Sequence, residues 1–469
     1  MTLPVWLVVF LVIFAAIGVL DRILAPSVRW FFRRKLNTAI DELNNRLDLR
    51  IQPFRLTRKQ TLVDQLMYDQ QVIAAAEKEA SEQNTPISVV MAKAERYAKE
   101  IVPSFSPFAY FGFGTRLARM LSQFIYRVQL GYSDDESLKS ITQDSSVIFV
   151  MNHRSNMDYI LVTYMASARA SLSYAVGEWA RIWGLQNVIR ALGAYFIRRG
   201  SNNNLYRKVL ARYVSMATKE GVTQAMFPEG GLSRDGTLGP PKLGLLSYMV
   251  ADFDPKTSKD VVFIPVGINY DRVMEDRILT RKREEEFTGR SFRVGIGSIL
   301  KFVGNGILLR LQGRLYSYGS ACVSFGKPVS LATWSKDNGL NFEALTEKKR
   351  HAAIEKLGSD LLTEIARIIP VLPVAVTARV FLDAGDTLLS ELELKSLIFK
   401  EMSELEASGA HLHIPREDRD YAASMGLRML TLRHLVETTS EGLYKANPHE
   451  QVLLEYYANS IAHLDGKAE

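Results

Sequence analysis

Apolar residues follow three different rhythms along this chain. From Leu3 to Leu20 they form an uncharged run, interrupted only by Pro4 and Gly18. From Leu36 to about Glu100 they recur at helical spacing. Gln60 to Glu82 carries Leu62, Leu66, Met67, Val72 and Ile73 without Gly or Pro, a loop follows at Glu82 to Pro86, and Ile87 to Ile101 reads as a second helix. Beyond the polar break Gly131 to Ser137, short apolar runs alternate with helical patterns. Val147–Val150, Leu172–Val176, Ala194–Ile197, Thr223–Phe227, Val261–Ile268 and Ala321–Phe325 read as strands. Tyr159–Ala168, Leu205–Lys219 and Leu243–Phe253 read as helices between them. After Thr333 the pattern is helical again, over Ala344–Ile369, Glu391–Ala407 and Leu427–Tyr444.

That alternation predicts an α/β fold whose central, mostly parallel sheet is flanked by helices. Four regions follow: 1–35, a membrane anchor with a basic flank; 36–135, a helical region; 136–330, the α/β core; and 331–469, a helical C-terminal region. The charged stretch Asp271 to Arg290 reads as a solvated surface excursion.

The first run changes the picture of where the protein works. As a helix, Leu3 to Leu20 spans about 27 Å, close to the ~30 Å hydrocarbon core of a bilayer. Met1-Thr2 supplies no basic n-region and no convincing cleavage site follows, so a single membrane span is expected rather than a signal peptide, with a buried or interfacial helix as the alternative. Trp6 and Trp30 suit the two interfaces. Arg22, Arg29, Arg33, Arg34 and Lys35 lie on one side, which places the body of the protein in the cytoplasm. Phe105 to Gly114 is rich in aromatic residues and leads into Thr115 to Leu130, where arginines interrupt an apolar pattern. A helix lying on a membrane and a helix packed on the core fit that pattern equally.

A formal net charge of +7 and a pI near 9.2 favour acidic partners, such as phosphorylated substrates, anionic lipids or an acidic carrier protein. Nothing further marks nucleic-acid binding, because the basic residues are dispersed and no zinc-ligand spacing occurs. The single cysteine, Cys322, lies in an apolar strand and reads as a buried thiol. His411 and His413 lack nearby ligands and read as a surface loop, so no metal is expected.

Four stretches inside the α/β region carry chemistry. His153 follows a strand, and Asp158 stands five residues on at the start of a helix, an arrangement for a general base with an orienting carboxylate. With seven histidines in the chain, such a pair alone is close to chance. Gly193 to Gly200 is a strand ending on Arg198 and Arg199, where guanidinium forks can chelate phosphate. Phe227 to Gly236 is a strand running into a turn with Glu229, Gly230, Gly231, Ser233 and Arg234, with Lys242 beyond it. Adjacent glycines there present N–H groups to an oxyanion or anion. Ile264 to Gly267 is an apolar strand broken by Pro265, which suits an edge or a bulge.

The order of these stretches resembles the four sequence blocks of the glycerolipid acyltransferases. His153 and Asp158 match the family's HxxxxD motif, Gly193 to Arg198 its second block, Pro228-Glu229-Gly230 the start of its third, and Pro265 its fourth. Glu229-Gly230-Gly231-Leu232-Ser233-Arg234, the length of the chain, and Glu455 to His463 are similar to the glycerol-3-phosphate branch. Leu232 stands where that branch often has arginine, and Gly236 where it has threonine, so one phosphate contact is either missing or supplied by Arg199 or Lys242.

The resemblance implies acyl transfer to the sn-1 hydroxyl of glycerol 3-phosphate from an acyl-CoA or acyl-carrier-protein thioester, with no cofactor. His153 would be the base and Asp158 its orienter. Arg198, Arg234 and Lys242 would hold the phosphate, with Glu229, Gly230, Gly231, Ser233 and Pro265 completing the substrate site. The alternatives are an acyltransferase acting on lysophosphatidate or dihydroxyacetone phosphate, and a membrane-tethered lipid-binding protein without catalysis. A hydrolase would need a nucleophile, and neither Ser155 nor Ser233 lies in GxSxG.

Overall fold

A strand buried at every position needs cover on both faces, and Ser146–Met151 has it. The computed structural model describes residues 47–167, 170–177, 185–198, 201–285, 318–340 and 345–464, together with Ile40 and Asn44. Residues 1–50 with 168–170 form one unit, and 51–167 with 171–469 the other. The expected span at Leu3 to Leu20 lies outside the described residues. Among the described residues, no helix is long and apolar enough to cross a membrane.

The second unit holds an eight-stranded sheet. Its strands are β1 (Arg127–Ser133), β2 (Ser146–Met151), β3 (Ser173–Gly177), β4 (Tyr195–Ile197), β5 (Gln224–Met226), β6 (Val261–Tyr270), β7 (Ser320–Phe325) and β8 (Val329–Ser330). The order is β1-β7-β6-β2-β5-β3-β4, with β8 also pairing β6. β6, β2, β5, β3 and β4 run parallel, so their carboxyl ends share one edge. β7 is antiparallel to β6, and β1 runs with β7. The α/β fold with a mostly parallel sheet is therefore as expected.

One face of the sheet and the N-terminal helices share a core. Ile148, Val150, Met226 and Phe263 pack with Leu66, Val72, Ala94 and Ile101, and with Leu357, Leu361 and Ile365 of the long helix Glu347–Ile368. Helix α1 (Ile87–Ile101) ends beside the sheet's β4 edge. Helix α2 (Thr115–Ile125) follows a π-helical turn at Phe108–Gly114 and packs on α3 (Asp158–Ala166), where Gln123 Nε2 donates to the Tyr164 hydroxyl at 3.0 Å. Tyr110 is buried in the aromatic turn, while Phe108 and Phe113 are exposed.

Several readings change. The helix expected from Thr115 to Leu130 stops at Ile125, because Arg127–Ser133 pairs with β7 nearly two hundred residues away. The single helix read from Gln60 to Glu82 is two, broken where Asp69 caps the second by accepting from Gln71 and Val72 N–H. The helix expected to reach Tyr444 ends at Leu432. A hairpin follows, Val436–Thr438 with Tyr444–Ala446, turning at Gly442. A helix at Pro373–Ala384 had no counterpart in the sequence reading.

The charged stretch at Asp271 is not a solvated excursion at its start. Asp271 and Asp276 are buried, and Asp276 pairs with Arg433 at 2.5 Å and accepts from the Tyr457 hydroxyl. Residues 286–317 lie outside the described structure. Pro265 is neither at an edge nor at a bulge. It sits in β6 between the pairings to β8 and β7, with its carbonyl accepting from Gly326 N–H at 2.9 Å. Carbonyl and nitrogen of one strand residue face the same side, so its missing N–H falls at the seam between two partners.

Candidate active site

The site begins where β2 ends. Asn152 continues the strand by bonding both backbone groups of Ile268, at 2.9 and 2.8 Å. His153 then leaves the sheet, and four residues of turn bring Asp158 to the first position of α3. In this geometry Asp158 Oδ2 meets His153 Nδ1 at 2.9 Å. The same oxygen accepts from the backbone N–H of Arg154 at 2.7 Å and of Ser155 at 3.0 Å. Asp158 Oδ1 accepts from the Tyr270 hydroxyl at 2.6 Å. Every partner is a donor, which suits an ionised carboxylate. Burial, then the Asp158 charge, hold the Tyr270 pKa well above its ordinary value, so that hydroxyl stays a donor.

His153 is 1% exposed and Asp158 0%. The imidazole stacks on Phe227 at 3.8 Å between centroids and meets Tyr159 edge-on at 5.5 Å. With Nδ1 facing a carboxylate, the ring proton belongs on Nδ1 and the lone pair on Nε2.

Glu229 lies in the turn three residues past the end of β5, the strand next to β2. Its Oε1 accepts from His153 N–H at 2.8 Å and its Oε2 from Gly239 N–H at 2.9 Å. The carboxylate thus clamps the histidine's own backbone to the turn after β5. Burial pushes the Glu229 carboxyl up to about 7, against the two N–H groups that favour ionisation. Ser233 N–H adds a second clamp, donating to the His153 carbonyl at 2.9 Å. The Ser233 hydroxyl closes its own loop, donating to Thr237 O at 2.8 Å and accepting from Gly236 N–H at 3.1 Å.

The two glycines differ. Gly230 has φ +68°, its N–H donates to the Phe227 carbonyl at 3.0 Å, and Lys242 Cγ lies where a side chain would go. Gly231 has open space beside it. Arg234 and Lys242 are exposed at the rim of this turn, and Lys242 N–H donates to Pro228 O at 2.7 Å.

The structure thus gathers His153, Asp158, Glu229, Ser233 and the glycine turn around one strand end. Pro265 lies opposite Val150 in β6. Arg198 stands farther along the same edge, after β4, with its guanidinium on Glu100. Arg199 lies outside the described residues.

Three contributors were missed by sequence reasoning. Tyr270 ends an apolar strand and carries no local signal. Glu275 accepts from the Ser155 hydroxyl at 2.7 Å and from Asn156 Nδ2 at 3.0 Å, bracing the turn. Arg154 is buried next to His153, with its guanidinium on the Gly236 carbonyl and 5.5 Å above the Tyr456 ring. That last contact ties the site to the C-terminal region through α4 (Gln451–Ala458). Gly236 has φ +89°, and any Cβ there would overlap the Tyr456 carbonyl. Asn459 Nδ2 donates to Asp235 O at 2.9 Å, and Asn269 Nδ2 reaches the Ser460 hydroxyl at 3.3 Å.

An acyltransferase family model matches residues 133–269, and a model of the glycerol-3-phosphate acyltransferase C-terminal region matches 306–464. Together these matches support the glycerol-3-phosphate acyltransferase branch of the acyltransferase family. The glycerol-3-phosphate acyltransferase of Alteromonas mediterranea is 26% identical over 422 residues, 87% of this chain and 50% of that one. That of Xylella fastidiosa is 27% identical over 427 residues, 87% and 47% of the two chains. The chain therefore spans about half the length of these curated relatives. A solved 1-acyl-sn-glycerophosphate acyltransferase from Thermotoga maritima is 21% identical, covering 55% of this chain and 78% of that one, with a TM-score of 0.29.

The Arg154–Gly236–Tyr456 contact joins the two matched regions. The stretch similar to the glycerol-3-phosphate acyltransferase C-terminal region packs directly on the turn after β5, so it is a structural wall of the candidate site.

Proposed function

We propose that the chain transfers a fatty acyl group from a thioester to the sn-1 hydroxyl of glycerol 3-phosphate, giving lysophosphatidate, the first step of phospholipid synthesis. The observation that carries this reading is the 2.9 Å bond from His153 Nδ1 to Asp158 Oδ2. It leaves Nε2 as the basic nitrogen and provides a counter-charge for the imidazolium.

In the proposed step, His153 Nε2 takes the proton of the acceptor hydroxyl as its oxygen attacks the thioester carbonyl. A C–O bond forms and the carbonyl becomes an oxyanion. The C–S bond then breaks, and the leaving thiolate takes the proton back from the imidazolium. The Gly231 N–H is the oxyanion donor in this scheme, since Gly230 N–H is spent on Phe227 O. Arg198, Arg234 and Lys242 hold the phosphate. The donor is acyl-CoA or acyl carrier protein, and no cofactor takes part.

The membrane belongs to the same proposal. Residues 3–20 anchor the chain with its body on the cytoplasmic side, and the acyl tail lies beside the aromatic turn Phe108–Gly114. A second acceptor, lysophosphatidate or dihydroxyacetone phosphate, is favoured by one observation, Leu232 in place of an arginine. Comparing kcat/KM for the three acceptors tests the assignment. Glycerol 3-phosphate is expected to lead, and a tenfold preference for either rival would reassign the acceptor.

A further inference from the structure

Arg198 is held in a way that does not depend on the acid it touches. Its backbone N–H donates to the Tyr206 hydroxyl at 2.9 Å. Its guanidinium lies 5.2 Å from the Tyr97 ring centroid and 5.3 Å from that of Tyr206. Two aromatic faces and a backbone bond therefore fix its position. Into its fork comes Glu100, with Nε to Oε1 at 2.9 Å and Nη2 to Oε2 at 2.6 Å. Two parallel N–H···O bonds are the geometry in which arginine also holds a phosphate.

Glu100 is oddly placed for a structural acid. It is in the last turn of α1, Ile87–Ile101, where the helix dipole disfavours negative charge. The surroundings are cationic. Arg190 Nη2 donates to the Glu100 carbonyl at 3.3 Å. Burial, then the charges of Arg190 and Lys99, push the Lys59 ammonium down to about 8. Lys99 is itself paired with Glu95 at 2.6 Å, so the cations named beside Glu100 are Arg198, Arg190 and Lys59. A phosphate dianion answers such a group of cations more fully than one carboxylate does. The Arg198 and Glu100 side chains are 36% and 17% exposed, so the pair is half-buried and solvent reaches it from the arginine side.

Position completes the argument. β4 lies three strand spacings from β2, roughly 14 Å along the shared carboxyl edge. We propose that Glu100 is a carboxylate stand-in for the acceptor's phosphate: it occupies the Arg198 fork in the empty protein, and a phosphomonoester must displace it. Glu100 thereby sets the affinity threshold for the acceptor and selects a dianion over a neutral polyol. This rests on the acyl-transfer reading only for what the bound phosphate is attached to.

The test uses full-length protein and inorganic phosphate, so that no turnover is needed. Glu100→Gln and, as a second variant in case Gln distorts the turn, Glu100→Ala are titrated calorimetrically beside wild type. Each is also made with Arg198→Ala. Removing the competing acid is expected to tighten phosphate binding about three- to fivefold, with no gain when Arg198 is absent. KM for glycerol 3-phosphate should fall by the same factor, and KM for the acyl thioester should not follow it. Equal or weaker phosphate binding by both folded variants overturns the proposal, as does the same gain without Arg198. If phosphate binding tightens but no protein acylates glycerol 3-phosphate, the gate stands and the acyl-transfer reading falls. If wild type acylates it and the variants keep the wild-type KM, the gate falls and that reading stands.

Discussion

Tyr270 donates its hydroxyl to Asp158 Oδ1 at 2.6 Å, on the carboxylate oxygen opposite the one that holds His153. The two strands that meet in the middle of the sheet thus place His153 and the support of Asp158 face to face. Tyr270→Phe keeps the ring and removes only this bond, leaving a buried carboxylate oxygen short of a donor. The expected cost is about 1.5–3 kcal/mol of folding stability in a urea titration. If the same bond holds Asp158 during turnover, kcat falls roughly tenfold while both KM values stay near wild type. Wild-type stability and kcat would show that Asp158 needs no second anchor.

Glu229 should leave a signature in pH. Its folded pKa, about 7, lies above its free value of 4.5 because burial opposes the charge. The native state therefore holds this proton more tightly than the unfolded chain. Stability from this group is complete below about 4.5 and is lost as pH rises to about 7. Asp271, pushed up to about 6, and Glu275, also raised by burial, act in the same direction. Melting midpoints measured from pH 4.5 to 8 should fall less steeply in Glu229→Gln than in wild type. Identical slopes would remove Glu229 from the pH dependence. The same variant loses an acceptor for one of two N–H groups and should lower kcat by loosening the His153 backbone.

The C-terminal region should be thermodynamically coupled to the site. Gly236→Ala forces a Cβ onto the Tyr456 carbonyl at φ +89°. The expected loss is on the order of 3 kcal/mol, with faster amide exchange through residues 451–464. An unchanged melting midpoint would mean the turn and α4 do not approach as closely as described.

Phosphate recognition makes a fourth prediction. Arg234→Ala and Lys242→Ala should each raise KM for the phosphorylated acceptor about tenfold, with the donor KM unaffected. A change confined to the donor KM would move these residues to the thioester's side of the site.

Much of the frame was legible because local chemistry and global fold agree. The strand ahead of His153 is apolar at five of its six positions, all after Ser146, and only a sheet covered on both faces wants that. Glu391–Ala407 was readable to the residue, since Ser390 and Glu393 form a capping box at its start. His153 and Asp158 were legible as a pair because five residues of turn and helix start bring them together. Arg127–Ser133 was not, because its strand character depends on pairing with Ser320–Phe325 and its own residues continue a helical pattern. Tyr270, Arg154 and Glu100 have no local signature at all: each acts through a partner brought near by the sheet. Glu229 was legible as a site residue, but its bond to the His153 backbone needed β5 placed beside β2.

The central claim is that His153 is the base of an acyl transfer to glycerol 3-phosphate. Purified full-length protein, labelled glycerol 3-phosphate and an acyl thioester test it directly, with wild type beside His153→Ala. The account predicts labelled lysophosphatidate from wild type and a rate at least about a hundredfold lower from the variant. Equal product from both proteins would contradict it.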